Sequence, residues 1–101
     1  MAGAVYGNAS HGAVTINTPA SPITVSATTT PPLGNRTNIV IYNNDPTNTL
    51  YLGFGAAGSA VTTSNGFPVP PGSSIDLDFG PQIAIYGIST ASISVRYVEA
   101  Y

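Results

Sequence analysis

The chain has 101 residues, enough for one domain built on one modest core. Only 6% of them are charged, none is lysine, and the formal net charge is −2, where an ordinary soluble domain carries about 25% charged residues. Charge this sparse excludes nucleic-acid binding by counterion release and anchoring to lipid headgroups through a polybasic segment. The lack of cysteine removes disulfides, thiolate metal sites and cysteine nucleophiles, and it fits either redox compartment.

Residues 1–34 open the chain. Met1-Ala2-Gly3-Ala4-Val5-Tyr6-Gly7 lacks the positive region and the long apolar stretch of a signal peptide. Val14-Thr15-Ile16 and Ile23-Thr24-Val25 are the only strand-like runs here, set among Ala, Gly, Thr and Pro. Thr28-Thr29-Thr30-Pro31-Pro32 follows them as a stiff linker. With so few large apolar residues the segment cannot build its own core. It is an N-terminal arm ordering against another chain, a pair of strands added to the body, or, over its first ten residues, disordered. Residues 35–101 form the body.

Within the body, Asn38-Ile39-Val40-Ile41-Tyr42-Asn43 is apolar on both faces and predicts a central strand covered on both sides. No apolar run in the chain is longer than its core, Ile39–Tyr42, which is far shorter than the roughly 20 residues that span a bilayer. Asn43-Asn44-Asp45-Pro46-Thr47-Asn48 is a dense turn cluster. Leu50, Leu52 and Phe54 then line one face of a strand and Tyr51 the other. A short run near Val61 is counted as a further strand. Asn65-Gly66 marks a tight turn, and Phe67-Pro68-Val69-Pro70-Pro71-Gly72 predicts polyproline II geometry turning at Gly72. Ser74–Phe79 alternates strictly, with Ile75, Leu77 and Phe79 opposite Ser74, Asp76 and Asp78. Gly80-Pro81 makes a corner before Gln82–Ile88, and Ile93, Val95 and Tyr97 point inward from the last strand. Near-absence of Lys and Glu with abundant Thr, Val, Ile and Tyr disfavours helices. The prediction is all-β: a small antiparallel β-sandwich with jelly-roll or Greek-key connections, preceded by an extended N-terminal arm.

No constellation here supports catalysis. Asp76 and Asp78 share a strand face, but calcium wants six to eight ligands and a supporting loop. A solvated face that discourages edge pairing explains them more simply. His11, the one histidine, sits between Ser10 and Gly12 with no orienting carboxylate in view. Gly53–Gly58 lacks the Lys-Ser/Thr and helix start of a phosphate loop. Asn8-Ala9-Ser10 and Asn35-Arg36-Thr37 match a glycosylation pattern that a chain so rich in Asn, Ser and Thr produces by chance. Arg96, on the polar face of its strand, has Asp76 or Asp78 as expected cross-sheet partners, and Arg36 has no role beyond pairing of that kind or a subunit salt bridge. The expectation is therefore a protein that is not an enzyme and carries no cofactor and no metal.

The aromatic residues point elsewhere, since tyrosine on half-buried strand positions suits both core packing and subunit contact. Surface with almost no charge and no lysine to guard sheet edges is suited to being covered by partners. Candidate contact residues are Val14, Ile16, Ile23 and Val25 in the arm, and Tyr42, Tyr51, Phe67 and Tyr86 in the body, with Tyr42, Tyr51 and Tyr86 forming one outer cluster if their strands are neighbours.

Leu50-Tyr51-Leu52-Gly53, then Val61-Thr62-Thr63-Ser64-Asn65-Gly66-Phe67-Pro68-Val69-Pro70-Pro71-Gly72, then Ile75-Asp76-Leu77 resembles small virion proteins of tailed bacteriophages. The match spans Asn38–Val98 and is most like the capsid decoration, or cement, class. The Phe54–Ala60 insert and the Thr/Pro-rich arm depart from the short form of that pattern. The resemblance implies a homotrimer on the outer capsid surface that clamps neighbouring capsomers, with the major capsid protein and its own copies as partners, and no nucleic acid or membrane. Similar runs belong to tail and fibre modules, which implies as the alternative an adhesion module binding cell-surface polysaccharide through tyrosines and the Phe67–Gly72 loop.

Overall fold

The computed structural model of the chain describes residues 7, 9–17, 20–24 and 36–101. Among them are the strands β1 (Ala9–Ile16), β2 (Ser21–Thr24), β3 (Asn38–Asn43), β4 (Leu50–Phe54), β5 (Phe67–Val69), β6 (Ser74–Leu77), β7 (Ile85–Ile88) and β8 (Ile93–Ala100), with one short 3-10 turn at Gly58–Ala60. The strands make two four-stranded sheets, β1-β8-β3-β6 (sheet A) and β2-β7-β4-β5 (sheet B), in which every pairing is antiparallel. Except for the β4–β5 hairpin, each connection crosses from one sheet to the other. This strand order is that of a jelly roll, so the predicted all-β sandwich is the fold.

Alternation builds the core. Ile39 and Ile41 from β3, Ile93, Val95 and Tyr97 from β8, Leu50 and Leu52 from β4, Ile85 from β7 and Val69 from β5 are buried between the sheets. Ile75, Leu77 and Phe79 pack against this cluster from the side, while Ser74, Asp76 and Asp78 are exposed, as their period-two pattern requires. Phe54 meets Phe79 edge to face at 5.3 Å, joining sheet B to the end of β6.

Of the alternatives for residues 1–34, Ala9–Ile16 and Ser21–Thr24 take that of added strands, one in each sheet. Ile16 and Ile23 are fully buried in the chain's own core. A Cβ at Gly87 would lie 2.9 Å from Leu50, 3.2 Å from Ile23 and 3.4 Å from Ile16. Glycine therefore makes room on β7 for side chains from β1, β2 and β4 to converge.

Three local expectations differ. Phe67-Pro68-Val69 is not polyproline II but strand β5, paired with Leu50–Leu52. It lies at the sheet edge, where proline's missing N–H is tolerated. The turn at Gly72 does form, with φ at +70°, a value that glycine adopts readily. No strand runs near Val61; a 3-10 turn precedes it and a loop follows, the apolar run being too short for a ladder. β3 is central but covered on one face only, since Val40 and Tyr42 point outward and Tyr42 is 37% exposed.

Candidate interaction surface

The two outer faces of the sandwich differ in charge. On sheet A, the register aligns His11 with Val98, Val40 and Asp76, and Ala13 with Arg96, Tyr42 and Ser74. Among the described residues this face holds one charged basic side chain, one carboxylate and the histidine around the exposed Val98. The strands of sheet B contain no Asp, Glu, Lys, Arg or His. Its outward positions are Pro22 and Pro68, both exposed, and Tyr51, Tyr86 and Ile88, all half-buried. Tyr51 pairs with Pro68 on one side and Ile88 on the other, and Tyr86 with Gly53 and Pro22. Tyr51 and Tyr86 thus sit diagonally on neighbouring strands, and the loop after β4 packs between them: a Cβ at Gly53 would meet Val61, one at Gly58 would meet Tyr86, and one at Gly66 would meet Tyr51.

Tyr42 lies on the opposite outer face, so of the three expected to cluster only Tyr51 and Tyr86 share a face. Val14 packs against the core rather than projecting, and Ile16 and Ile23 have no surface to offer. Their burial overturns the reading of these side chains as contacts: strands of a two-layer sandwich must turn their large apolar residues inward. Val25 lies outside the described residues. Among the described residues Phe67 is the most exposed large apolar side chain, at 51%. It borders an open groove of about 390 Å³ between Leu52, Phe54, Ala57, Val61 and Asn65. That groove is fixed by the loop after β4. The N–H of Thr62 donates to Asn65 Oδ1 at 2.7 Å and that of Gly66 to the Thr62 carbonyl at 2.9 Å.

Sequence reasoning missed a buried ion pair. Arg36, expected to do no more than pair across a sheet or in a subunit salt bridge, is 1% exposed, and Glu99 is fully buried. Arg36 Nη1 donates to Glu99 Oε2 at 2.9 Å. Its Nε donates to the Phe79 carbonyl at 3.0 Å, and Nη2 to the carbonyls of Gly80 (2.6 Å) and Ile83 (2.9 Å). The guanidinium therefore holds the β6–β7 corner against the end of β8. Burial, and then the Glu99 carboxylate two residues along, push the Tyr97 phenol above its ordinary 10.0. Arg96, by contrast, stands on β8 with β3 between it and β6, so the expected pairing with Asp76 or Asp78 across neighbouring strands does not form.

The remaining polar clusters are structural. Asn43, fully buried, donates to the carbonyls of Asn48 and Val69 at 2.8 and 3.0 Å and ties β3 to the edge of sheet B. The Asp45 carboxylate accepts main-chain N–H groups of Thr47 (3.0 Å) and Asn48 (2.7 Å). Those bonds, Thr47 first, hold its pKa below the usual 3.8. Asn38 Nδ2 donates to both Asp76 and Asp78, so these carboxylates are occupied within the chain. Among the described residues no three His, Cys, Asp or Glu side chains gather as metal ligands, and no helix is long and apolar enough to cross a membrane. No family model, curated protein or solved structure matches the chain.

Proposed function

We propose that this chain is a structural protein of a tailed-phage particle: a capsid decoration protein that binds the outer shell through sheet B and works with further copies of itself, three by the resemblance. The observation that carries the reading is the uncharged outer surface made by sheet B and the 55–66 loop packed on its Gly53 position, where Tyr51, Tyr86 and Ile88 stand half-buried between two prolines. A face of this kind loses little on desolvation, because it has no ion to strip of water, and tyrosine supplies contact area with few rotors to freeze. The reading also rests on the resemblance of Leu50–Gly53 and Val61–Gly72 to small virion proteins. In this role the protein is a staple and not an enzyme: it gains binding energy only where neighbouring capsomers hold the spacing that fits it.

The test uses heads assembled without the protein and then supplied with it. Added protein should coat the heads and raise the temperature at which they release their genome. A Tyr51→Ser/Tyr86→Ser double variant, folded by circular dichroism, should bind at least tenfold more weakly. Heads whose heat release is the same with and without the protein would remove the decoration reading.

A second reading, adhesion to cell-surface polysaccharide, draws on exposed Phe67 beside its groove, since sugars stack on exposed aromatic rings. Jelly rolls serve in capsids and lectins alike. Binding on a glycan array that is lost in Phe67→Ala would favour this second reading.

A further inference from the structure

Each sheet of an open sandwich has two edges, and three of the four here are guarded. β2 contains Pro22 and a register shift between Pro22 and Thr24. β5 has three residues with Pro68 at its centre, and β6 has four with the exposed carboxylate of Asp76. Short length, proline, irregularity and charge are the devices that keep sheet edges from pairing. β1 has none of them. It runs eight residues in unbroken register with β8, without proline, Lys, Arg, Asp or Glu.

Which main-chain groups β1 offers follows from the ladder. Asn44 donates its N–H to the Ser94 carbonyl at 3.0 Å, at the same offset that pairs Tyr42 with Arg96. Hydrogen-bonded pairs recur at every second residue of an antiparallel ladder. Ser94, Arg96 and Val98 therefore bond toward β3, and Ile93, Val95 and Tyr97 toward β1. Their partners on β1 are Ile16, Val14 and Gly12. His11, Ala13 and Thr15 are left with N–H and C=O directed away from the sheet.

We propose that the β1 edge pairs antiparallel with β1 of a second copy of this chain, about a two-fold axis at Ala13. The three outward residues are symmetric about Ala13. With Ala13 opposite its own counterpart and His11 opposite Thr15, each of the three residue pairs exchanges two main-chain hydrogen bonds. The side chains at the axis are methyl groups, and no fixed charge meets its like. A second copy satisfies all three residues at once because the spacing is self-complementary. The strand is about 27 Å long at 3.4 Å per residue. Its edge buries roughly 300–400 Å² per copy, well under the ~800 Å² of a standard interface, so the pairing is reversible and depends on concentration. This contact is independent of the decoration reading, and a three-fold assembly would use a different surface.

Sedimentation of the full chain up to millimolar concentration is the test. The expected species has an even multiple of the 10.2 kDa chain mass, and its mass falls by half in Ala13→Pro, where the N–H that is lost points away from β8. Ala13→Lys and Ala13→Asp should each fail to pair with themselves, and should pair when mixed. These two also settle the matter if the proline variant does not fold. A wild-type chain that stays at 10.2 kDa, sediments as an odd multiple, or associates equally well as Ala13→Lys would overturn the proposal. A trimer indifferent to these changes would do so while leaving the decoration reading in place.

Discussion

Glu99→Gln is the most informative single substitution. Both side chains of the Arg36–Glu99 pair are 0% exposed, so removing the carboxylate charge takes this ionic partner from a guanidinium that is out of water and set against the carbonyls of Phe79, Gly80 and Ile83. Breaking a buried pair in this way costs about 3–5 kcal/mol, against a total stability of roughly 5–15 kcal/mol for a domain. At about 2 kcal/mol per molar urea for a chain of this size, the unfolding midpoint should fall by ~1.5–2.5 M. Replacing both partners, as Arg36→Met/Glu99→Leu, should restore part of the loss, because apolar replacements carry no desolvation penalty. Recovery stays incomplete here because the carbonyls of Phe79, Gly80 and Ile83 lose their donor, and each buried orphan costs about 1–3 kcal/mol. Urea titrations of wild type, both single variants and the double variant, followed by near-ultraviolet circular dichroism, give the coupling energy directly. A midpoint for Glu99→Gln within ~0.5 M of wild type, roughly 1 kcal/mol at that slope, would refute the argument.

Gly53→Ala should destabilise by about 1–3 kcal/mol or more, since its Cβ would lie 2.6 Å from both the Gly58 carbonyl oxygen and Val61 Cβ; a thermal midpoint unchanged from wild type would contradict this. Tyr97 adds an alkaline limit. Its folded pKa is raised above the ordinary 10.0, so its contribution is fully present below pH 10 and is lost as pH climbs through the raised value. An absorbance titration should show a late tyrosine step that vanishes in Tyr97→Phe; a titration curve unchanged by Tyr97→Phe would count against it. Arg96→Ala should change stability by less than about 0.5 kcal/mol, because its side chain is exposed and β3 separates it from the aspartates.

Much of the sandwich was legible because burial on one face writes itself as alternation. Ser74–Phe79, Leu50–Phe54 and Ile93–Tyr97 read correctly for that reason. β1 and β2 were harder, since Gly12, Pro22 and small residues around Ile16 and Ile23 supply little periodic signal; what buries those isoleucines is space at Gly87, far along the chain. β5 was obscured by prolines that a central strand would reject and an edge accepts. The ion pair did leave one trace. The inward phase of Ile93, Val95 and Tyr97 continues one step to Glu99, and a carboxylate on a core-facing position calls for a buried cation. Which cation it meets depends on a closure spanning 63 residues, which no local pattern encodes. For the surface, Tyr51 and Tyr86 stand out as aromatics, but their common face, and the separation of Tyr42, follow from strand order alone.

The central place of β8 governs how the molecule comes together in time. Sheet A joins Ala9 to Ala100 and Ile16 to Ile93, and β8 is also the neighbour of β3. Half of the sandwich therefore waits on a strand synthesised after the other seven. Folds dominated by such distant pairings acquire their structure in about milliseconds to seconds rather than microseconds. Until β8 arrives, the apolar faces of β1 and β3 stand open, and a nascent chain halted before Ile93 would be a substrate for chaperones rather than a smaller version of the same protein.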